Sequence, residues 1–117
     1  LWTRSISEML ENYPIPGESG SRGEVRSLGL IGDPSRQLLV QGAPVFRFSA
    51  LPVSPDDLMA ARHVWELKLR GETFLSLDGF HMGVGGDTGW TRNVHPEYLL
   101  GPGTYRWAVT LAVGSLI

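Results

Sequence analysis

The sequence of 117 residues contains no cysteine, and this absence excludes several kinds of chemistry at once. Disulfide bonds, thiolate zinc sites, iron–sulfur clusters and cysteine nucleophiles all need a thiol. Strong positive charge is lacking too: ten lysines and arginines are scattered singly against twelve acidic residues, for a formal net charge of -2. We therefore expect no nucleic acid as the main partner, because there is no basic stripe for a phosphate backbone.

Long apolar runs and targeting segments are also lacking. No stretch approaches the roughly 20 apolar residues that span a bilayer, and the N-terminus lacks the charged, apolar and small-residue succession of a signal peptide. We expect no membrane insertion. Because the sequence starts at Leu1 and ends at Ile117 on an apolar run, we expect a piece of a longer protein.

The length and the 42% of apolar residues fit one domain with one core. Three parts are predicted: an N-terminal helical arm at 1–13, a proline- and glycine-rich linker at 14–23, and a β domain at 24–117. Apolar spacing of three to four residues predicts the helix, and Ser5 with Glu8 has the form of a capping box. The arm either packs across an open end of the domain or contacts a neighbouring chain. In the second case its interface residues are Trp2, Ile6, Met9 and Leu10.

Short alternating segments fill the rest of the chain and predict an all-β fold. The segment at 101–113, GPGTYRWAVTLAV, is the strongest, because it places bulky residues on one side of a strand and predicts their burial. Those residues are Tyr105, Trp107, Val109 and Leu111. Further strands are predicted at 24–31, 37–41 and 45–51, and a hairpin is predicted from 63–70 and 73–77.

A short helix is predicted at 54–62. Ser54 is suited to the N-cap and Pro55 to the first helical position. Asp56 and Asp57 follow, and carboxylates stabilise the positive end of a helix dipole. We favour this role for the acidic pair over a catalytic or metal-binding one.

The order of these segments resembles that of a fibronectin type III or immunoglobulin-like sandwich. VFRFSAL, HVWELKLR, TFLSL, WTRNV and LLGPGTYRWAVTLAV are similar to successive strands of such domains, and PGTY-x-W-x-V is similar to their turn and tyrosine strand. The resemblance covers about 45–113 and implies an antiparallel β-sandwich with one short helical insertion. A viral-type jelly roll, which also combines short strands with small helices and an N-terminal arm, remains the alternative.

Three functions are compatible with this fold class. The first is a non-catalytic structural or protein-interaction module, with other protein chains or copies of itself as partners. The second is a self-assembling, coat-like subunit, and the third is a sandwich that binds a small ligand or sugar. No nucleophile elbow, paired-acid motif or phosphate loop stands out, so neither an enzyme nor a cofactor is expected. The compartment stays open, and an extracellular, cell-surface or virion location is favoured by the fold class alone.

The third function depends on the glycine-rich segment at 80–92, FHMGVGGDTGWTR. Its candidate ligand-binding residues are His81, Asp87, Trp90 and Arg92. An apolar platform with a few directed polar groups is typical of small-ligand sites. The alternative is that the polar groups satisfy the backbone of the loop while Trp90 joins Trp65 and Trp107 in the core.

A metal site is not predicted. The three histidines, at positions 63, 81 and 95, have neither the i, i+4 spacing of a helix nor the i, i+2 spacing of a strand that would direct two imidazoles at one ion.

Overall fold

The computed structural model describes residues 2–12, 19–32, 36–88 and 93–114. Its regular structure is a four-stranded sheet of β1 (Arg22–Ile31), β2 (Gln37–Leu51), β3 (Phe74–Asp78) and β4 (Ala108–Gly114). The strand order is β1–β2–β3, and β4 pairs with β2 in the antiparallel sense. One α-helix, α1 (Pro55–Ala60), and 3₁₀ turns at Ser7–Met9, Val64–Glu66 and Pro96–Tyr98 complete the described elements. The all-β class is confirmed.

The central strand β2 is longer than the sequence indicates. Phe46, Phe48 and Ala50 alternate into the core as predicted. The predicted break at 42–44 is wrong, because Gly42 and Ala43 continue the ladder with β4. Proline has no backbone N–H to donate to a ladder. Pro44 is compatible with this strand because it lies one residue beyond the last pair with β4, Ala43 with Ala108.

Helix α1 follows β2 and is confirmed with its predicted cap. The Ser54 hydroxyl accepts a hydrogen bond from Asp57 N at 3.1 Å, and Asp57 Oδ2 accepts one from Ser54 N at 2.9 Å. Leu58 is 4% exposed, whereas the next residue, Met59, is 72% exposed. A single apolar face therefore anchors this short helix.

The predicted N-terminal helix is reduced to the 3₁₀ turn at Ser7–Met9. Glu8 Oε2 accepts hydrogen bonds from both Ser5 N and Ser5 Oγ. The Ser5 hydroxyl therefore bonds to the carboxylate instead of to a backbone N–H of the first turn, as it would in a helix cap. Leu10 is extended, which ends the turn. Met9 is buried, and its carbonyl lies so close to Gly20 that a Cβ there would approach within 2.3 Å. This packing, rather than helix continuation, fixes the segment.

The hairpin predicted from 63–70 and 73–77 is wrong. The first half is a 3₁₀ turn followed by irregular chain, with Trp65 and Leu69 exposed, and β3 belongs to the sheet whose central strand is β2. Arg70 N donates a hydrogen bond to Pro52 O at 2.7 Å. That bond holds the segment against the chain that precedes α1 rather than against β3.

The segment at 101–113 is a shorter and more exposed strand than predicted. β4 begins only at Ala108, and Tyr105, Trp107 and Leu111 are all exposed. The alternation itself is correct, because Val109 and Leu111 pair with Gly42 and Val40 and so share one face of the sheet. The prediction that this chain buries that face was wrong.

The chain divides into two compact units. Unit 1 comprises Leu1–Val25 and Arg47–Leu77, and unit 2 comprises Arg26–Phe46 and Asp78–Ile117. Among the described residues, the buried apolar side chains of unit 1 are Met9, Phe48, Ala50, Leu51, Val53, Leu58 and Ala61, and those of unit 2 are Val40 and Phe46. Within those same residues, no helix is long and apolar enough to cross a bilayer.

Candidate functional site

The glycine-rich segment lies in unit 2, and its described part, 80–88, has an irregular path. One isolated antiparallel bridge joins Gly86 to Val94. Gly83 and Gly85 have φ angles of 92° and 118°, which side chains rarely adopt. Glycine therefore serves a demanding backbone path at these two positions.

His95, which follows this segment in the sequence, holds the segment in place by hydrogen bonds. Its backbone N donates to Gly85 O at 2.9 Å, and its Nε2 lies 2.9 Å from Asp87 Oδ1. On the other side of the ring, Nδ1 lies 3.9 Å from Glu97 Oε1. The imidazole thus stands between two exposed carboxylates.

Tyr98 closes the arrangement against the backbone of the loop. A Cβ built on Gly85 would come within 2.3 Å of Tyr98 Cδ2, so the phenol ring lies directly on that glycine. Tyr98 N also donates to His95 O at 2.9 Å. We call Gly85, Asp87, His95, Glu97 and Tyr98 the loop cluster.

The loop cluster overlaps only in part with the predicted site. Asp87 belongs to both, but the structure brings it to His95, which was not among the predicted site residues. His81 is exposed in the same segment, between the exposed side chains of Phe80 and Met82. Trp90 and Arg92 lie outside the described residues. Ligand binding by His81, Asp87, Trp90 and Arg92 stays a prediction.

No spacing rule could have found His95. It is eight residues from Asp87, and the two meet because the intervening bridge at Gly86 and Val94 folds the chain back on itself. A reversal at consecutive glycines was the available signal, since it predicts that residues flanking the loop come together.

The predicted N-terminal interface residues differ in their exposure. Trp2 is exposed, with the Arg22 guanidinium 5.8 Å from its ring centroid, while Ile6 and Leu10 are half-buried. Met9 is 3% exposed and belongs to the core of unit 1. An interface role for these four residues stays a prediction.

The acidic pair of α1 has a structural explanation. Hydrogen bonds from the Arg70 guanidinium, followed by those from Ser54, hold the pKa of Asp57 well below its usual range. Across the described ranges, no group of three or more histidine, aspartate and glutamate side chains could hold a metal ion.

Comparison with known proteins identifies the family. The model of the beta-galactosidase small chain family matches residues 1–111. The chain belongs to this family. Among curated relatives, the beta-galactosidase of Aeromonas hydrophila is 38% identical over 110 residues, which cover 94% of this chain and 10% of that protein. The corresponding protein of Vibrio cholerae is 38% identical over 112 residues, and that of Lactococcus lactis 37% over 109. The chain spans about a tenth of the length of these relatives.

This family membership corrects three predictions. The resemblance to fibronectin type III and immunoglobulin-like domains is wrong as a family assignment, because its short motifs occur in a chain of the beta-galactosidase small chain family. A non-catalytic structural or protein-interaction module, like a coat-like subunit, is wrong as well, since the relatives are named for a glycoside hydrolase. The expectation that the chain is not an enzyme is wrong for the same reason.

Proposed function

We propose that this chain is a component of a β-galactosidase, and that its segment at 80–92 contributes to the galactoside site of the assembled enzyme. The observation that carries the first part is the family match over residues 1–111, together with relatives that bear the name beta-galactosidase. Because the chain spans about a tenth of those relatives, its partner in this proposal is the remainder of the enzyme.

The geometry of the loop supports the second part. A sugar presents hydroxyl groups and an apolar ring face, so its site needs directed polar groups beside apolar side chains. Segment 80–88 offers both, because Asp87 is fixed by His95 while Phe80 and Met82 are exposed. Its backbone is held by the bond from His95 N to Gly85 O and by the Tyr98 ring. A loop that is fixed but exposed can orient a substrate without first being ordered.

The same proposal includes the finer architecture. A sheet with one apolar face is stable when that face is covered, and two sheets packed face to face are the usual solution for antiparallel strands. We propose that the sheet built on β2 is one layer of a β-sandwich. The parts predicted from the sequence, 1–13, 14–23 and 24–117, remain our proposed division of the chain.

The test uses the assembled enzyme that contains this chain and a chromogenic aryl β-galactoside. Asp87→Asn and Trp90→Ala are expected to raise KM about tenfold or more, which corresponds to the loss of roughly 1.4 kcal/mol of substrate binding. Asp56→Asn is the matched control, because Asp56 is an exposed aspartate of unit 1. His81→Ala is compared with His63→Ala in the same way.

Two outcomes would contradict the proposal, and they are distinguishable. An assembled enzyme with no activity on any β-galactoside would refute the first part. Normal activity with unchanged kinetics in both Asp87→Asn and Trp90→Ala would refute the loop site alone.

A further inference from the structure

The ladder between β2 and β4 places an apolar surface on one side of the sheet. Cross-strand partners share a face, so the pairs Leu38 with Val113, Val40 with Leu111 and Gly42 with Val109 all lie on the same side. We call Leu38, Val40, Val109, Leu111 and Val113 the apolar stripe. The opposite face of the same ladder carries Gln37, Leu39, Gln41 and Ala43 against Gly114, Ala112, Thr110 and Ala108. The paired residues, 37–43 and 108–114, include no charged side chain.

The apolar stripe is buried at Val40, half-buried at Leu38 and Val109, and exposed towards the end of β4. Val40 is 0% exposed, whereas its partner Leu111 is 56% exposed and Val113 is 84% exposed. Within the part of the chain that the structure describes, β4 pairs with β2 and with no other strand. An antiparallel sheet commonly exposes its polar face to water and covers its apolar one, whereas here Leu111 and Val113 of the apolar face are exposed as well.

A groove adjoins this surface where the end of β1, the start of β2 and the end of β4 meet. It has a volume of about 340 Å³ and is lined by Gly29, Leu30, Ile31, Gln37, Leu38, Leu39, Ala112, Val113 and Gly114. Leu38 and Val113 belong to both the groove and the stripe, so the two form one continuous surface. Ile31 is also exposed there. A contiguous apolar patch of this kind marks an interaction site rather than a solvated face.

The chemistry of the surface selects its occupant. With no charged group among the paired residues, the surface offers a charged segment nothing to replace its hydration. A flat two-stranded face accepts the side chains of another sheet at about 10 Å, the usual distance between packed sheets. The chain spans only about a tenth of the relatives that it matches, so the other nine tenths of such a protein can supply this second sheet.

We infer that an apolar sheet face from the remainder of the β-galactosidase covers the apolar stripe and fills the adjoining groove. This inference rests on the proposed function in one respect, namely that the chain is a component of that enzyme. It does not depend on the galactoside site. The side chains of Leu111 and Val113 are then inter-sheet core residues of the assembled protein.

Cysteine labelling tests this inference. Leu111→Cys and Val113→Cys are made in the assembled enzyme and treated with a water-soluble maleimide, and modification at each position is followed by peptide mass spectrometry. Relative to the urea-unfolded enzyme, labelling of both variants is expected to slow at least tenfold. Glu72→Cys, at an exposed position in a turn of unit 1, serves as the accessible control. Labelling at positions 111 and 113 as fast as at position 72 would overturn the inference.

A second measurement separates the remainder of the enzyme from a second copy. Protection of Leu111→Cys that disappears on dilution would indicate coverage by another copy and overturn the inference, whereas protection independent of concentration supports it.

Should the cysteine variants disturb folding, Val113→Asp and Thr110→Asp provide the alternative comparison. The first is expected to lower the melting temperature of the assembled enzyme more than the second, and equal effects would count against an apolar cover. None of these outcomes requires catalytic activity, so failure here and failure of the galactoside site are separate results.

Discussion

Arg70 and Asp57 form a two-point ion pair, with Arg70 Nε 2.8 Å from Asp57 Oδ2 and Arg70 Nη2 2.8 Å from Asp57 Oδ1. The same carboxylate accepts a hydrogen bond from Ser54 N, so one aspartate joins the N-terminus of α1 to the segment before β3. A fork of two parallel hydrogen bonds fixes orientation as well as distance. This pair replaces the predicted hairpin as the reason that the segment at 63–70 lies where it does.

The stability of unit 1 is expected to depend on pH through Asp57. Its folded pKa is lowered, first by Arg70 and then by Ser54, so the ionised form stabilises the fold. That contribution is complete above the ordinary aspartate pKa of about 3.9 and is lost progressively as the pH falls below it. Thermal unfolding should therefore separate wild type from Asp57→Asn clearly at pH 7 and much less at pH 2.5. A constant difference across this range would contradict the assignment.

Arginine at position 70 is expected to be irreplaceable by lysine in this geometry. Arg70→Lys keeps the charge but cannot form the fork, since an ammonium group makes a point contact. We expect a lower melting temperature than for wild type. Lys68→Arg, on the same segment and exposed, is the control and should leave the melting temperature unchanged. Equal melting temperatures for Arg70→Lys and wild type would show that charge alone suffices.

Neighbouring residues of α1 should respond very differently to truncation. Leu58 is 4% exposed, and Leu58→Ala is expected to cost about 2–5 kcal/mol of unfolding free energy because it leaves a cavity. Met59 is 72% exposed, and Met59→Ala should change that quantity by less than about 0.5 kcal/mol. Urea unfolding followed by circular dichroism measures both. Similar losses for the two variants would mean that Met59 is covered as well.

The indole of Trp107 requires glycine at position 79. A Cβ on Gly79 would come within 2.1 Å of Trp107 Cγ, so Gly79→Ala must displace the ring. We expect a cost of about 1–3 kcal/mol, the usual range for overpacking, and an altered tryptophan fluorescence spectrum. Gly71→Ala is the matched control, because a Cβ there meets nothing within 4 Å. An unchanged spectrum for Gly79→Ala would contradict this contact.

Substitution in the glycine loop should affect substrate binding if the loop is part of the galactoside site. Gly85→Ala combines a positive φ with a collision against Tyr98, whereas Gly83→Ala has the positive φ but open space around it. In the assembled enzyme, Gly85→Ala is expected to raise KM for an aryl β-galactoside by about tenfold more than Gly83→Ala. Equal effects would indicate that backbone strain matters and the Tyr98 contact does not.

Local chemistry was the part of the fold that the sequence predicted well. Ser54, Pro55 and Asp57 determine a helix start among themselves, and the alternation of Phe46, Phe48 and Ala50 requires only that one side of a strand be buried. Each of these signals is complete within a few residues. The structure accordingly confirms them.

Long-range pairing and burial could not be predicted in the same way. Alternation at 63–70 and at 105–111 shows which side chains share a face, but not which partner covers that face. For Trp65 no strand of the described chain does so, and for Leu111 the cover is proposed to lie outside the chain. The meeting of Asp87 with His95 likewise depends on the bridge between Gly86 and Val94; the glycines indicate a reversal there but not which residues pair. The family was missed as well, because the short motifs that resemble fibronectin type III and immunoglobulin-like domains also occur in this chain of the beta-galactosidase small chain family.

The pairing of β2 with β4 also has a consequence for the order in which the protein forms. Even the pair with the smallest sequence separation, Ala43 with Ala108, closes a loop of about 65 residues. The loss of chain entropy on closing such a loop opposes this ladder until the intervening chain has folded. Contacts of such high sequence separation slow folding. Nascent molecules should therefore pass through a stage in which the apolar β4 is made but unpaired, and unpaired apolar strands associate with one another. Yield during synthesis would then depend on how fast β4 finds β2, and a chaperone that binds extended apolar segments would act at this step.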